Sequence, residues 1–267
     1  MSRQLTSGVL GRKKGIDADL QVYLGSLTTA LSSGQVALLN TFVKDLKSGL
    51  EIANLSDAFD VMYILANETS ESGLNNLVKR SHDATLSSTA PTFTALEGFT
   101  GNGTSAYIDA DYTPSVDNDT LSLNDASYGA YTRTSINNTG IIFGGLVSGS
   151  IVSTFQSGSG NRLHNTSADN ITQHPAGMII LNREAAASYN IYQNKTPTLI
   201  TRASTSLLSC RVFILTYSNN NAAPPGNYAD GQVSFFFTGR SFSQEEVNTI
   251  TDTFEAYMDA NSKGVIA

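Results

Sequence analysis

The chain has no tryptophan, one cysteine, three histidines and six prolines in 267 residues, and only 15% of it is charged. With Cys210 alone, an internal disulfide and a cysteine metal cluster are both excluded. Cys210 lies in the apolar run LLSCRVFILTY, where a thiol is expected as a small buried hydrophobe. His82, His164 and His174 share no i, i+4 spacing, and structural or solvent-facing roles are expected for all three. Sixteen basic residues stand against 23 acidic ones, a net charge of −7 that disfavours nucleic acid as a partner. The basic cluster Arg12-Lys13-Lys14, with Arg3 nearby, is expected as a solvated tail. No run reaches 18 apolar residues, and MSRQLTSGVLGRKKG lacks the apolar region of a signal peptide. The expectation is a protein made in a cytoplasm with no membrane partner, in which eight Asn-x-Ser/Thr triplets reflect composition rather than glycosylation.

Catalytic signatures are missing too. There is no G-x-S-x-G elbow, no H-E-x-x-H, no Walker loop and no C-x-x-C, so no catalytic or cofactor-binding residue is assigned and no enzyme is expected. GNGTSA at 101–106 has the glycine spacing of a dinucleotide loop, but the YIDADY that follows reads as a strand, so a tight turn is expected. Asp109, Asp111, Asp117 and Asp119 fall within eleven residues and are the candidate Ca²⁺ ligands, although no D-x-D-x-D-G loop accompanies them. For a sugar site, the stacking candidates are Tyr107, Tyr112, Tyr128, Tyr131, Tyr189, Tyr192 and Tyr228, with core packing the alternative for each.

What the chain does have is twelve phenylalanines and eleven tyrosines, enough apolar mass to fold. A domain of this length buries roughly three quarters of the surface its unfolded chain exposes. Ile16, Leu20, Tyr23, Leu24, Leu27 and Leu31 make a helical stripe too short to stand alone. It must pack on the body, on copies of itself or on another protein. Residues 1–31 are therefore expected as an N-terminal arm, with those six side chains as its partner-binding set, and 32–267 as the main domain. In SSGQVALLNTFVKDLKSGL, Ser32 and Gln35 read as a capping box, Val36, Leu39, Val43 and Leu46 as one apolar face, and Gly49 as the C′ residue of a helix over about 33–48. DAFDVMYILANE is a compact β-forming run. From Phe93 onward short strands alternate with Gly/Asn/Ser/Asp turns: FTALEGF, SAYIDADY, SYGAYTRTS, GIIFGGLV, SIVSTFQS, AGMIILNRE, SYNIYQN, TLITRAS, CRVFILTYS and QVSFFFTG. A second capping box, Ser243 with Glu246, opens a closing helix over about 243–260. Without βα alternation, this pattern predicts a mainly β fold, an antiparallel two-sheet sandwich or barrel with two flanking helices.

Three stretches resemble concanavalin A-like (lectin, glucanase and laminin-G-like) jelly-roll domains of bacteriophage virion proteins: APTFTALEGFTGNGTSAYIDADY, AASYNIYQNKTPTLITRAST and ADGQVSFFFTGRSFSQEEVNTITDTFEAYMDA. The resemblance covers about residues 50–260. It implies two packed antiparallel sheets with the C-terminal helix against one side. Lys195 replaces the glycine usual in the second stretch. Members that hydrolyse β-glucans carry an E-x-D-x-x-E strand, which is absent here; Glu51, Glu97 and Glu184 lack such partners. The resemblance is specific for the fold and says little about activity; together with the low charge, the Ser/Thr/Asn/Gly-rich loops and the missing catalytic sets, it leads to the expectation of a virion structural protein of a tailed phage, a decoration or fibre component, homo-oligomeric, with the apolar stripe of the arm joining it to other virion proteins. A surface glycan is a further expected ligand, a lectin-like attachment module is the alternative reading, and a glycoside hydrolase ranks below both.

Overall fold

In the computed structural model, residues 15–136, 140–148, 150–155, 160–167, 176–222 and 226–266 are described; Arg3, the Arg12–Lys14 cluster and His174 lie outside them. Helices α1 (Ala18–Leu24) and α2 (Ser33–Gly49) open the chain. Strand β1 (Phe59–Tyr63), helix α3 (Ser70–Leu74), strands β2 (Thr85–Leu86), β3 (Thr92–Thr94), β4 (Gly98–Thr100) and β5 (Ile108–Asp109), and helix α4 (Pro114–Asp117) follow. Then come β6 (Ala126–Thr132), β7 (Ile141–Val147), β8 (Ser150–Phe155), β9 (Arg162–Asn165), β10 (Gly177–Ala185), β11 (Ser188–Gln193) and β12 (Thr196–Ile200). Strands β13 (Phe213–Ile214), β14 (Ser218–Asn219) and β15 (Gln232–Gly239) and helix α5 (Gln244–Ala260) complete it.

These strands form two sheets. One runs β12-β11-β10-β6-β15-β4-β3, with β1 alongside β15; the other runs β2-β5-β13-β7-β8-β9, with β14 added parallel to β7. All pairings but that of β14 are antiparallel between the named strands, as the two-sheet expectation requires.

The central strands of the first sheet, β1, β6, β10 and β15, are covered on both faces, which explains why they lack polar alternation. Phe236 and Val233 of β15 point into the sandwich with Tyr128, Ile179 and Phe143, while Phe235 and Phe237 point to the helices with Phe42, Phe254 and Tyr131. Phe254 stacks on Phe235 at 4.4 Å. The same split runs through β10, where Ile179 and Leu181 face the sandwich and Met178 and Ile180 face the helices. The molecule is thus three layers deep, helices on sheet on sheet.

Both predicted helices form, with corrections at their ends. Ser32 accepts from the Gln35 N–H, but the Gln35 side chain does not return to close the box. It is buried and donates to Asn67 and to the Tyr257 hydroxyl, and the Ser32 N–H is taken by Glu68 instead. The left-handed residue after α2 is Glu51, at φ 54°, rather than Gly49. Gly49 is required for a different reason: a Cβ there would sit 2.5 Å from Thr249 Cγ2 of α5. The Ser243 box is complete, and the Arg240 guanidinium also binds both Glu246 oxygens, at 2.5 and 3.2 Å. Burial pushes the Glu246 carboxyl up, but these hydrogen bonds outweigh it and hold it below its usual value.

The stripe of the N-terminal segment is spent on the body. Leu20 and Tyr23 are buried in the helix-side core, and Ile16, Leu24, Leu27 and Leu31 pack against it half-buried. Tyr23 donates to the Ser72 carbonyl, and Lys47 of α2 bridges Asp17 and Asp19 at 2.9 and 3.0 Å. These six side chains are therefore not held out as an external docking face: α2 and the first sheet offer the apolar surface that a two-turn helix cannot supply for itself.

Smaller differences have local causes. CRVFILTYS splits into β13 and β14 because Leu215 adopts φ 71°. FTALEGF folds back as the β3–β4 hairpin, turned by Leu96 at φ 62° and Gly98 at φ 110°. In the β11–β12 hairpin Asn194 takes the left-handed position at φ 55°, so Lys195 need not be the glycine that the resemblance leads one to expect. Strand β9 was not anticipated; its His164 has φ 56°, and RLHN is too short to show a period.

Candidate functional site

Among the described residues, no member of the helix-side core comes from the second sheet, whose outward face is free of the long helices. Strand alternation decides what that face presents. Ile108, Ile142, Phe143, Val152, Leu163 and Ile214 point into the sandwich. Their neighbours Asp109, Ile141, Phe213, Ile151 and Arg162 therefore point out. Asp109, Phe213 and Gly144 pair in turn across β5, β13 and β7, and the backbone register continues through β8 to Arg162 of β9, so Asp109, Phe213 and Arg162 share one outward row.

Two features lie on this face. The first is a cavity of about 220 Å³ whose floor is aliphatic, from Ile141, Leu146 and Ile151, and whose polar groups belong to Arg162, Tyr217 and Asn227. Arg162 is half-buried and donates from Nη1 to the Gly160 carbonyl at 3.1 Å. The second is an aromatic cluster beside it. Tyr107 stacks on Phe213 with ring centres 4.6 Å apart and planes within 21°, and Tyr228 lies against Tyr107 at 6.4 Å. Phe213 is buried and Tyr107 half-buried, so Tyr107 is the outer ring of the stack. Its backbone is fixed by an exchange with Ser87, whose N–H donates to the Tyr107 carbonyl and whose hydroxyl accepts from the Tyr107 N–H, both at 3.0 Å. Tyr228 bridges to Ile141, joining the cluster to the cavity; burial pushes its phenol up. The far end of the row is charged. Asp109 pairs with Arg211 at 2.7 Å, and burial pushes the Asp109 carboxyl up despite that partner.

Of the tyrosines named from sequence, Tyr107 reaches this face half-buried, and Tyr228, itself buried, lies against it there. Tyr112, Tyr128, Tyr131, Tyr189 and Tyr192 are buried core residues. Tyr112 donates to the buried carboxylate of Asp60, and Tyr131 to Glu255. Phe213, Tyr217 and Arg162 were not singled out from sequence. The alternation in RVFILTY was legible, but nothing in it says which parity is covered.

The four carboxylates at 109–119 are not gathered into one ligand set. Asp109 binds Arg211, Asp111 lies 3.9 Å from the same guanidinium, Asp117 accepts from the Thr113 N–H, and Asp119 pairs with Lys79 at 2.6 Å. Among the described residues no group of three or more His, Cys, Asp or Glu is placed to hold a metal ion. GNGTSA is the expected turn: Asn102 Oδ1 accepts from the N–H groups of Thr104, Ser105 and Ala106, and a Cβ at Gly101 would meet the Ala229 carbonyl at 2.0 Å. His82 accepts no metal geometry either; its Nδ1 lies 2.6 Å from the Asp111 carbonyl. Cys210 is buried, as expected, and burial pushes its thiol up. No helix among the described residues is long and apolar enough to cross a membrane.

No protein-family model and no curated protein sequence matches this chain. Solved structures do align with it. The botulinum neurotoxin serotype D binding domain aligns with a TM-score of 0.52 at 10% identity, over 74% of this chain and 52% of that one. Domain 4 of AbnA, an extracellular GH43 arabinanase from Geobacillus stearothermophilus in complex with arabinotriose, aligns at 0.49 and 11% identity, over 73% of this chain and 98% of that one. Trypanosoma rangeli sialidase aligns at 0.47 and 11%, over 87% of this chain and 40% of that one. The chain thus spans about half the length of the toxin domain and less of the sialidase. The likeness to the toxin domain is one of fold alone, in agreement with a jelly-roll-like sandwich.

Proposed function

We propose that this chain is a non-enzymatic, lectin-like glycan-binding sandwich that binds through the outward face of its second sheet, and that it serves as a virion structural protein of a tailed phage. The observation that carries the binding reading is the Tyr107–Phe213 stack joined, through Tyr228 and Ile141, to a polar-rimmed cavity on a face free of the long helices. Sugar recognition needs this combination: an aromatic ring against a C–H face and a few fixed polar groups for the hydroxyls. Support for the non-enzymatic part comes from the cavity lining, which among the described residues holds no carboxylate, whereas glycoside hydrolysis uses a pair flanking the scissile bond. The virion context rests on the three sequence stretches that resemble phage jelly-roll domains.

Immobilising the protein at high density and passing a panel of oligosaccharides over it tests the binding reading, because multivalency raises weak single-site affinity into a measurable range. Binding is expected, with Tyr217→Ala and Tyr107→Ala each weakening it about tenfold while leaving the circular dichroism spectrum intact. A wild-type surface that retains nothing at millimolar sugar refutes it. Release of reducing ends from the retained sugars would refute the non-enzymatic assignment.

A further inference from the structure

Given the glycan-binding reading above, we infer that the cavity selects a carboxylate-bearing sugar, one acidic residue of a longer glycan. Among the described residues lining it, Arg162 is the charged one, and its companions there, the Tyr217 hydroxyl and the Asn227 amide, can both donate. A guanidinium with neighbouring donors matches the two oxygens of a carboxylate. The guanidinium is also oriented before any ligand arrives. Arg162 is half-buried on β9, its strand is paired to β8, and Nη1 is directed at the Gly160 carbonyl.

The protein's net charge of −7 opposes an anionic ligand, so magnitudes decide the sign. At physiological salt the Debye length is about 8 Å, which screens dispersed surface carboxylates while a guanidinium in contact acts almost unscreened. The nearest charged members of the outward row are Asp109 and Arg162 itself, separated by four strand spacings, or roughly 19 Å at about 4.8 Å each. Asp109 is moreover paired with Arg211. A guanidinium that meets the ligand carboxylate directly acts at contact distance, well inside that screening length. Size narrows the ligand further: about 220 Å³ is below the roughly 300–1,000 Å³ of pockets that enclose a drug-sized molecule, so one sugar residue is accommodated. The aliphatic floor of Ile141, Leu146 and Ile151 fits a C–H face or an acyl methyl beneath that residue.

The test uses matched pairs on the full chain: a glucuronate-terminated oligosaccharide against its carboxyl-reduced form, sialyllactose against lactose, and 3′-sulfated lactose as the other anion. Titration calorimetry at 50 and 300 mM NaCl is expected to show at least tenfold tighter binding of the carboxylate member of one pair, weakening as salt rises. Arg162→Gln should collapse that preference to within twofold, while Arg162→Lys should retain a weakened preference. Equal or tighter binding of the neutral members overturns this inference and leaves the glycan-binding reading standing. Tighter binding of the sulfate than of either carboxylate overturns the carboxylate assignment. Binding of no sugar at all would remove both. If Arg162→Gln loses its native circular dichroism, the salt dependence and the wild-type pair comparison still decide the matter.

Discussion

His164 is wholly buried, with a left-handed backbone, and its ring is satisfied on both sides. A carbonyl can only accept, so Nδ1 carries the proton and donates to the Leu123 carbonyl at 3.2 Å, leaving Nε2 to accept from the Tyr128 hydroxyl at 3.1 Å. Burial pushes its pKa down to about 4. The unfolded value is about 6.5, so between these two pH values the unfolded chain binds a proton that the native chain does not. The histidine's contribution is then fully present above pH 6.5 and is lost as pH falls towards 4. Urea unfolding at pH 7.5 and pH 5 should show this loss in the wild type. His164→Asn, which tolerates the left-handed backbone, should be less stable at pH 7.5 yet show a smaller drop on acidification. An unchanged pH slope would mean that other groups dominate. Arg183 is a second buried residue with a local explanation: without a carboxylate partner in reach among the contacts described, it directs its donors to the carbonyls of Leu163, Ala185, Ser188 and Arg202 and lies 5.1 Å from the Tyr189 ring.

At the scale of elements, the closest fit is between the two long helices. Gly49, the last residue of α2, lets the backbone pass Thr249 of α5. Replacing a helical glycine with alanine ordinarily stabilises by up to ~1 kcal/mol. Here the new methyl would sit 2.5 Å from Thr249 Cγ2, so Gly49→Ala is expected to lower the melting temperature instead. Thr249→Ser removes that methyl, and the double variant should recover most of the loss. Recovery by the second substitution separates a steric clash from an effect on the helix end. The sheets show the same logic: Gly129 of β6 lies under the Phe237 ring, where a Cβ would come within 2.2 Å.

For the whole molecule, the consequential point is that residues 16–31 belong to the three-layer body. Leu20 and Tyr23 close the helix-side core, and Glu71 and Glu68 accept from the backbone N–H groups of Thr28, Thr29 and Ser32 in the segment that leads to α2. Leu20→Ala should destabilise by ~2–5 kcal/mol, and removal of residues 1–31 by at least as much, read as a shift in the urea midpoint. A truncated chain with an unchanged midpoint would mean that the segment is energetically separate and free to dock elsewhere. The C-terminal tail is tied down as well. Lys263 and Arg133 both bind Glu97, at 2.5 and 2.8 Å, and the Val265 N–H reaches the Tyr131 hydroxyl.

Much of this architecture is legible in the residue order, because its causes are local. Serine caps three residues ahead of Gln35 and Glu246, a 3.6-residue period in α2 and α5, and Gly/Asn turns between short β-forming runs all act over a few residues. The continuous apolar runs of β1, β10 and β15 even imply strands covered on both faces. The outward face of the second sheet is different in kind. Which of the seven tyrosines are core and which are displayed depends on which side of each strand another layer covers, and that layer comes from elements distant in sequence, as where the Tyr131 hydroxyl meets Glu255 of α5. Tyr107 meets Phe213, and Ile141 and Ile151 meet Arg162, Tyr217 and Asn227, only because the strand register of the folded sheet aligns them. Helix placement decided which sheet has its outward face free of the long helices, because α2 and α5 bury their apolar stripes on the other one.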